Sequence, residues 1–390
     1  MGKIKNFCIC FDDEKEVYYA GDTVAGHVLL DLSEPKSLMA IRMTFIGRSS
    51  VSWKEIEPRG KSKELIYYAS GEEYFNEILT IFGNEIGKNC QVENKEEVPY
   101  LNAGSHMFTF KFKLPTKPLA CSFEGDLGNV RYIVRAIICR PWKFDHVTKR
   151  AFTVAGPPFF LGRVPKALTP LRAEDEKTVC CLCCATGPVS ISAATDKRAY
   201  LPGEFIYVSA ALENKSNRSI VSLEAELIQS VNYLARRQGV GTPHKRTTSH
   251  VVSSIKDNGC EAHSSSMWDR AKLPIPPLPP CSLEGATFID IRYFLKFTVD
   301  VNNTPFDIDL VLELYIGNVP IDEPQKAGPS TSYHVHDSSM FLTARQESKE
   351  IRDEEDNEYT FGTLEFTPKY IYFGKVKCQS DGVEIQLLDK

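Results

Sequence analysis

One passage of this chain occurs twice. Tyr18-Tyr19-Ala20-Gly21-Asp22-Thr23-Val24 returns at an offset of 182 as Tyr200-Leu201-Pro202-Gly203-Glu204-Phe205-Ile206. A second pair, Val130-Arg131-Tyr132-Ile133-Val134-Arg135-Ala136 and Ile291-Arg292-Tyr293-Phe294-Leu295-Lys296-Phe297, follows in the same order at an offset of 161. Two matches in one order predict two copies of one domain, with a shorter internal loop in the second. In both copies the glycine fits a tight turn, because a residue without Cβ tolerates positive φ.

The repeated unit is strand-like. Phe108, Phe110, Phe112 and Leu114 alternate with Met107, Thr109, Lys111 and Lys113, and Arg131, Ile133 and Arg135 alternate with Val130, Tyr132 and Val134. Period two places successive side chains on opposite faces of a pleated strand. Short β-rich runs broken by Gly, Pro and Asn predict antiparallel sandwiches. The stretch Glu72-Glu73-Tyr74-Phe75-Asn76-Glu77-Ile78-Leu79 reads instead as a candidate helix. The fold expected is all-β: two tandem immunoglobulin-like sandwiches over 1–156 and 187–320, joined by a linker over 157–186. A flexible tail occupies 321–390, where 14 acidic face 8 basic side chains, including the run Asp353-Glu354-Glu355-Asp356.

Composition excludes some functions. A net charge of −5 lacks the basic excess of a general nucleic-acid binder. No apolar run reaches the roughly 18 residues of a membrane helix, and the start has no secretory signal. Asn6 stands where a myristoylation signal needs Ser or Thr. A cytosolic chain is expected, with its 12 cysteines largely reduced.

These residues carry a resemblance over about 1–320. The chain resembles the arrestin domain-containing proteins, or α-arrestins, at Tyr19-Ala20-Gly21-Asp22, Ser122-Phe123-Glu124-Gly125, Gly128-Asn129-Val130-Arg131-Tyr132 and Arg140-Pro141-Trp142-Lys143-Phe144. Gly187-Pro188-Val189-Ser190-Ile191-Ser192, Tyr200-Leu201-Pro202-Gly203-Glu204, Trp268 and Ile291-Arg292-Tyr293 continue it. The resemblance implies arrestin N and C domains and a nonenzymatic adaptor without cofactor or metal. Such an adaptor would bind transmembrane cargo at the plasma membrane and endosomes, and recruit HECT-class ubiquitin ligases whose WW domains grip a PPxY motif. No PPxY occurs here. The nearest approach is Thr367-Pro368-Lys369-Tyr370, which keeps the second proline and the tyrosine. Losing one anchoring proline costs about 2 kcal/mol, more than tenfold in affinity. The flanking Phe366 and Ile371-Tyr372-Phe373 favour instead an extra strand docked on a sandwich edge.

Other candidates divide between structure and chemistry. Cys180, Cys181, Cys183 and Cys184 make overlapping CxxC pairs, but zinc needs four ligands, usually from two knuckles, and no second CxxC exists. Packing thiols at the domain entry are the favoured reading, with lipidation second. Cys260 lies near the position where a thioredoxin-binding family member carries a reactive cysteine, so the alternative function is redox-regulated capture of thioredoxin. The proline run Pro274–Pro280 reads as edge-blunting structure ahead of an SH3 ligand. His334 and His336 lack partners for a metal site, and no HExxH or GxSxG occurs. Lys111, Lys113, Arg131, Arg135, Arg140, Lys143, Lys149 and Arg150 are basic residues of the first copy; several sharing one face would meet acidic or phosphorylated cargo tails or anionic lipid. A solvated sheet face explains them equally well.

Overall fold

A computed structural model describes residues 4–13, 16–60, 62–83, 99–140, 144–181, 184–237, 241–304, 307–321, 340–344, 349–351, 356–374, 377–379 and 382–384. The N-terminal sandwich is built from β1 (Ile4–Phe11), β2 (Thr23–Leu32), β3 (Ala40–Arg59), β4 (Ser62–Gly83), β5 (Gly104–Lys113), β6 (Gly128–Cys139) and β7 (His146–Val154). Strands β1, β2 and β5 form a three-stranded sheet; β4, β3, β6 and β7 form the facing one. Their alternation is the cause. On β2 the side chains of Val24, Val28, Leu30 and Leu32 point inward and Thr23, Ala25, His27 and Asp31 outward. On β5, Phe110 and Phe112 reach across to Phe45 of β3, with Phe112 stacked on it at 4.3 Å. Each such aromatic contributes roughly 1.5–3 kcal/mol by leaving water.

The second sandwich follows the same plan. It uses β8 (Arg172–Cys181), β9 (Cys184–Thr195), β10 (Phe205–Asn214), β11 (Ile220–Arg237), β12 (Pro243–Asn258), β13 (Ser265–Pro274), β14 (Ile289–Val301) and β15 (Ile308–Ile316). A four-stranded sheet, β8-β9-β10-β13, covers β11, β14 and β15. On β14 the residues Ile289, Ile291, Tyr293, Leu295, Phe297, Val299 and Val301 are all buried.

The duplication is visible hydrogen bond by hydrogen bond. Gly21 and Gly203 both sit at positive φ (86° and 97°), and their amides donate to Pro115 O and Ile275 O. The acid that follows each glycine closes its turn: Asp22 Oδ2 accepts from Tyr19 N at 2.8 Å, and Glu204 Oε2 from Leu201 N at 2.7 Å. In the second repeated passage, the Tyr132 phenol donates to Ala120 O and the Tyr293 phenol to Pro279 O, both at 2.7 Å. The repeated tyrosines are therefore buried donors tied to a backbone carbonyl, a role phenylalanine cannot fill.

The two sandwiches share backbone. Arg236 and Arg237 of β11 pair with Ala69 and Tyr68 of β4, so one 12-stranded sheet runs through both domains. At this seam Trp53 stacks on Tyr68 at 5.3 Å, and His244 meets the Tyr68 ring edge-on at 4.9 Å. A polar latch lies alongside. The Glu72 carboxylate accepts from both Thr287 N and Thr287 Oγ1, each at 2.8 Å.

Three expectations need correction. Residues 72–79 are not helical; they belong to β4, which pairs with β3 along its length. From Asn76 to Leu79 the strand is exposed on both faces, with Ile78 and Leu79 open to solvent, so period-two alternation is lost there. The linker expected over 157–186 already contains β8, and its earlier part packs Leu161, Val164 and Ala167 against Ala199 and Leu201. The tail is not wholly solvated. Residues 340–344, 349–351 and 356–374 hold short strands and buried side chains, among them Ile351, Leu364, Phe366, Tyr370 and Tyr372.

Candidate functional site

The described part of the tail crosses the first sandwich and reaches the second. Its first part lies on the outer face of β6 and β7, where Ile351, Leu364 and Phe366 cover Ile133 and Ala151. Strand β7 then gains a parallel partner: Thr360 and Phe361 pair with Val147 and Thr148. Phe361 meets Phe7 of β1 at 5.9 Å, nearly perpendicular, and His146 at 5.5 Å. Asp356 forms an ion pair with Lys149, whose side chain is only 4% exposed. Both residues line a cleft of about 320 Å³, together with Glu350, Asn357 and Phe361 among others.

Farther on, Lys369–Tyr372 pairs antiparallel with Met340–Thr343. The Lys369 amide donates to Thr153 Oγ1 of the first sandwich at 3.2 Å. The Phe373 amide donates to Pro202 O of the second at 2.9 Å. Gly203 and Gly374 meet so closely that a Cβ on Gly203 would lie 2.2 Å from Gly374 N. Between these two anchors the Tyr370 ring is buried, and its phenol donates to Ser122 O at 3.1 Å. Burial, with Cys121 and Tyr293 nearby, holds this phenol well above its ordinary range. Pro368 O accepts from Ala344 N. Pro368 and Tyr370 are thus parts of a strap over the domain junction, although the strand holding Tyr370 pairs with tail residues Met340–Thr343 and not with a sandwich edge as expected.

The basic residues divide between two faces, with Arg131, Arg135 and Lys149 sharing one of them. Lys111 and Lys113 are exposed on β5, in the three-stranded sheet, whereas Arg131 and Arg135 lie on β6 in the opposite one. Arg131 is engaged bidentately by Glu124 at 2.5 and 2.7 Å, its side chain 18% exposed. Arg135 is half-buried and faces Lys149 across the β6–β7 pair. Arg150 bonds Ile9 O and Glu16 and covers the Phe11 ring. Alternation had placed side chains correctly on each strand; it could not say which strands share a sheet. Lys143 and Trp142 lie outside the described residues.

The thiols separate into inert and undetermined groups. The cysteine cluster occupies the β8–β9 hairpin, with Cys181 paired to Cys184 and Cys180 to Ala185, rather than preceding the first strand of its domain. Cys183 and the side chains of Cys180, Cys181 and Cys184 lie outside the described residues. Cys121 and Cys281 are buried, which pushes both thiols up to about 12 and removes the thiolate that reactivity requires. Cys260 is half-buried, with Sγ 3.9 Å from Ser264 O. The proline run is structural: Ile275 and Leu278 are buried, and Pro279 O is the acceptor for Tyr293. His334 and His336 lie outside the described residues, among which no group of three His, Cys, Asp or Glu could hold a metal. None of the helices among those residues is long and apolar enough to cross a membrane.

Sequence reading named Ser122, Lys149 and Asp356 but not their roles as tail contacts, and it missed the aromatic contact of His146 with Tyr359 and Phe361. Only the alternation Phe366, Tyr370, Tyr372 hinted at a buried tail.

The comparisons agree with this architecture. Residues 7–158 match the domain family described as Arrestin (or S-antigen), N-terminal domain, and residues 185–321 match Arrestin (or S-antigen), C-terminal domain. Arrestin domain-containing protein 4 of Homo sapiens is 34% identical over 322 residues, which cover 82% of this chain and 72% of that protein. Arrestin domain-containing protein 17 of Caenorhabditis elegans is 29% identical over 321 residues (82% and 72%). Thioredoxin-interacting protein of Sus scrofa is 28% identical over 316 residues (81% and 75%). With tandem β-sandwiches matched by both arrestin domains, and a relative above 30% identity aligned across most of both chains, this chain belongs to the family of arrestin domain-containing proteins.

Proposed function

We propose that the chain is a nonenzymatic cytosolic adaptor that binds membrane-protein cargo and steers it in endosomal sorting. The supporting observation is a continuous sheet through both sandwiches, strapped on one side by a tail anchored in each. Such a frame presents fixed outer surfaces for a partner. Proximity labelling in cells tests it: enrichment of transmembrane proteins at the plasma membrane and endosomes is expected, and a uniform cytosolic pattern without them would sink the reading.

Direct recruitment of a WW-domain ligase is the weaker part. Tyr370, the tyrosine of the motif, is buried and bonded to Ser122 O. On this reading the docked chain acts as a scaffold without that ligase. Thr367→Pro would complete a PPxY, which separates sequence from access. A 360–376 peptide carrying the substitution should bind a WW domain while the full-length variant binds far less. Equal binding by both would refute the role given to burial.

Capture of thioredoxin through Cys260 remains the second reading, supported by its partial exposure and by the relative of that name. Cys260→Ser should abolish any mixed disulfide; an unchanged adduct removes that thiol.

A further inference from the structure

Tyr359 sits at the surface of the docked tail, preceded by Asp353-Glu354-Glu355-Asp356-Asn357-Glu358. Five of those six residues are acidic. Tyr18, Tyr68, Tyr132, Tyr200, Tyr233, Tyr293, Tyr370 and Tyr372 are buried, and the exposed Tyr67 and Tyr100 have no such acidic run before them. A turn presents Tyr359 outward, with Asn357 Oδ1 accepting from Tyr359 N at 2.8 Å and Asn357 O from Thr360 N at 3.0 Å. The neighbouring Glu358 carboxylate holds its phenol above the ordinary range.

Beneath the ring lies an unused donor. The Arg140 guanidinium covers the Tyr359 ring at 5.1 Å, and Phe144 stacks on it at 5.7 Å. Arg140 spends Nη2 on Phe144 O, but its buried Nε has no hydrogen-bond partner among the described residues. The neighbouring His146 is 5% exposed and meets the Tyr359 ring edge-on at 5.5 Å. An orphan guanidinium N–H beside a phenol is a place where an anion would be held.

We propose that Tyr359 is a tyrosine-phosphorylation site whose phosphate is held by Arg140, so that modification fastens the tail to the first sandwich. A kinase whose substrate groove favours acidic residues before the tyrosine would recognise the run, since charge pattern is a main determinant of kinase choice. In the transfer the phenol oxygen attacks the γ-phosphorus of ATP. The bond from that phosphorus to the β-phosphate oxygen breaks, ADP leaves, and the phenol proton passes to the kinase's base. The phosphate adds about −1.5 to −2 charges and three acceptors. Glu358 is exposed and can swing away, whereas the Arg140 guanidinium is already stacked in place.

The test uses the full chain, an acid-preferring tyrosine kinase and ATP, with sites mapped by mass spectrometry. Tyr359 should be the principal site. Amide exchange at Val147, whose N–H bonds Tyr359 O, should slow about tenfold on phosphorylation. Arg140→Gln should still be modified but lose the slowing, and Tyr359→Phe should show neither. Modification of Tyr359 only after denaturation would overturn the proposal. So would exchange that is unchanged or faster in the phosphorylated chain, or slowing that survives Arg140→Gln.

Discussion

Shortening Tyr370 should free the tail without unfolding either sandwich. The ring is 5% exposed and belongs to the main core cluster, and its phenol donates to Ser122 O. Tyr370→Phe removes one buried hydrogen bond and leaves Ser122 O short of a donor, which costs about 1–1.5 kcal/mol, or roughly tenfold in the docking equilibrium. Tyr370→Ala also vacates the ring's volume, at about 3–5 kcal/mol, which is roughly two to four orders of magnitude. Both losses fall on the tail because each sandwich keeps its own ladders. Amide exchange followed by mass spectrometry reads this directly. The amides of Ala344, Ile351 and Phe373 are tied to Pro368 O, Leu364 O and Pro202 O, so they report the docked tail. They should speed up in the order Phe then Ala, while amides of β6 and β14 keep their protection. If β6 and β14 exchange faster to the same degree, the tail is part of one cooperative unit and the argument fails. Unchanged exchange at Phe373 in Tyr370→Ala would refute it outright.

Four further outcomes are expected. Asp356→Ala removes one counter-charge from a lysine that is 4% exposed, so it should loosen residues 356–366 by about 1–3 kcal/mol, read from the rate of tail proteolysis. Burial, then Arg140 and Lys36, lowers His146 to about 4 in the docked form, against about 6.5 when free. The docked form therefore binds fewer protons: docking is fully present above about pH 6.5 and weakens as pH falls towards 4. At pH 5.5 it should be weaker by up to about tenfold, measured as excess exchange at Phe361 relative to His146→Gln, which should show no such slope. Glu72→Gln should weaken the domain latch by about 2 kcal/mol, seen as a lower denaturation midpoint, because Thr287 N and Oγ1 both bond this carboxylate. Gly21→Ala should cost about 1 kcal/mol, since only the turn's positive φ opposes it, whereas Gly203→Ala should also release Phe373, because its Cβ would collide with Gly374 N; amide exchange at Phe373 separates the two.

The fold was legible because its signal was repeated. Tyr-x-x-Gly-acid and the Arg-Tyr strands carry turn chemistry and alternation together, and both copies make the same hydrogen bonds. The candidate site was less legible for physical reasons. Tail burial rests on a few apolar side chains set among acids, so composition over 321–390 averages them away. The basic strands alternate in the same manner whichever sheet they join, so Lys113 and Arg131 could not be assigned to opposite layers. Within Glu72–Leu79 alternation is lost from Asn76 on, because both faces of that part of β4 meet solvent.

The strap has one further consequence, which comes from its length. Lys369 grips the first sandwich and Phe373 the second, only four residues on, in nearly extended chain at roughly 3.3 Å per residue. A chain already drawn out cannot lengthen. Any swing of one module that widens this gap must therefore detach one end, so interdomain motion and loss of the strap would occur as a single event.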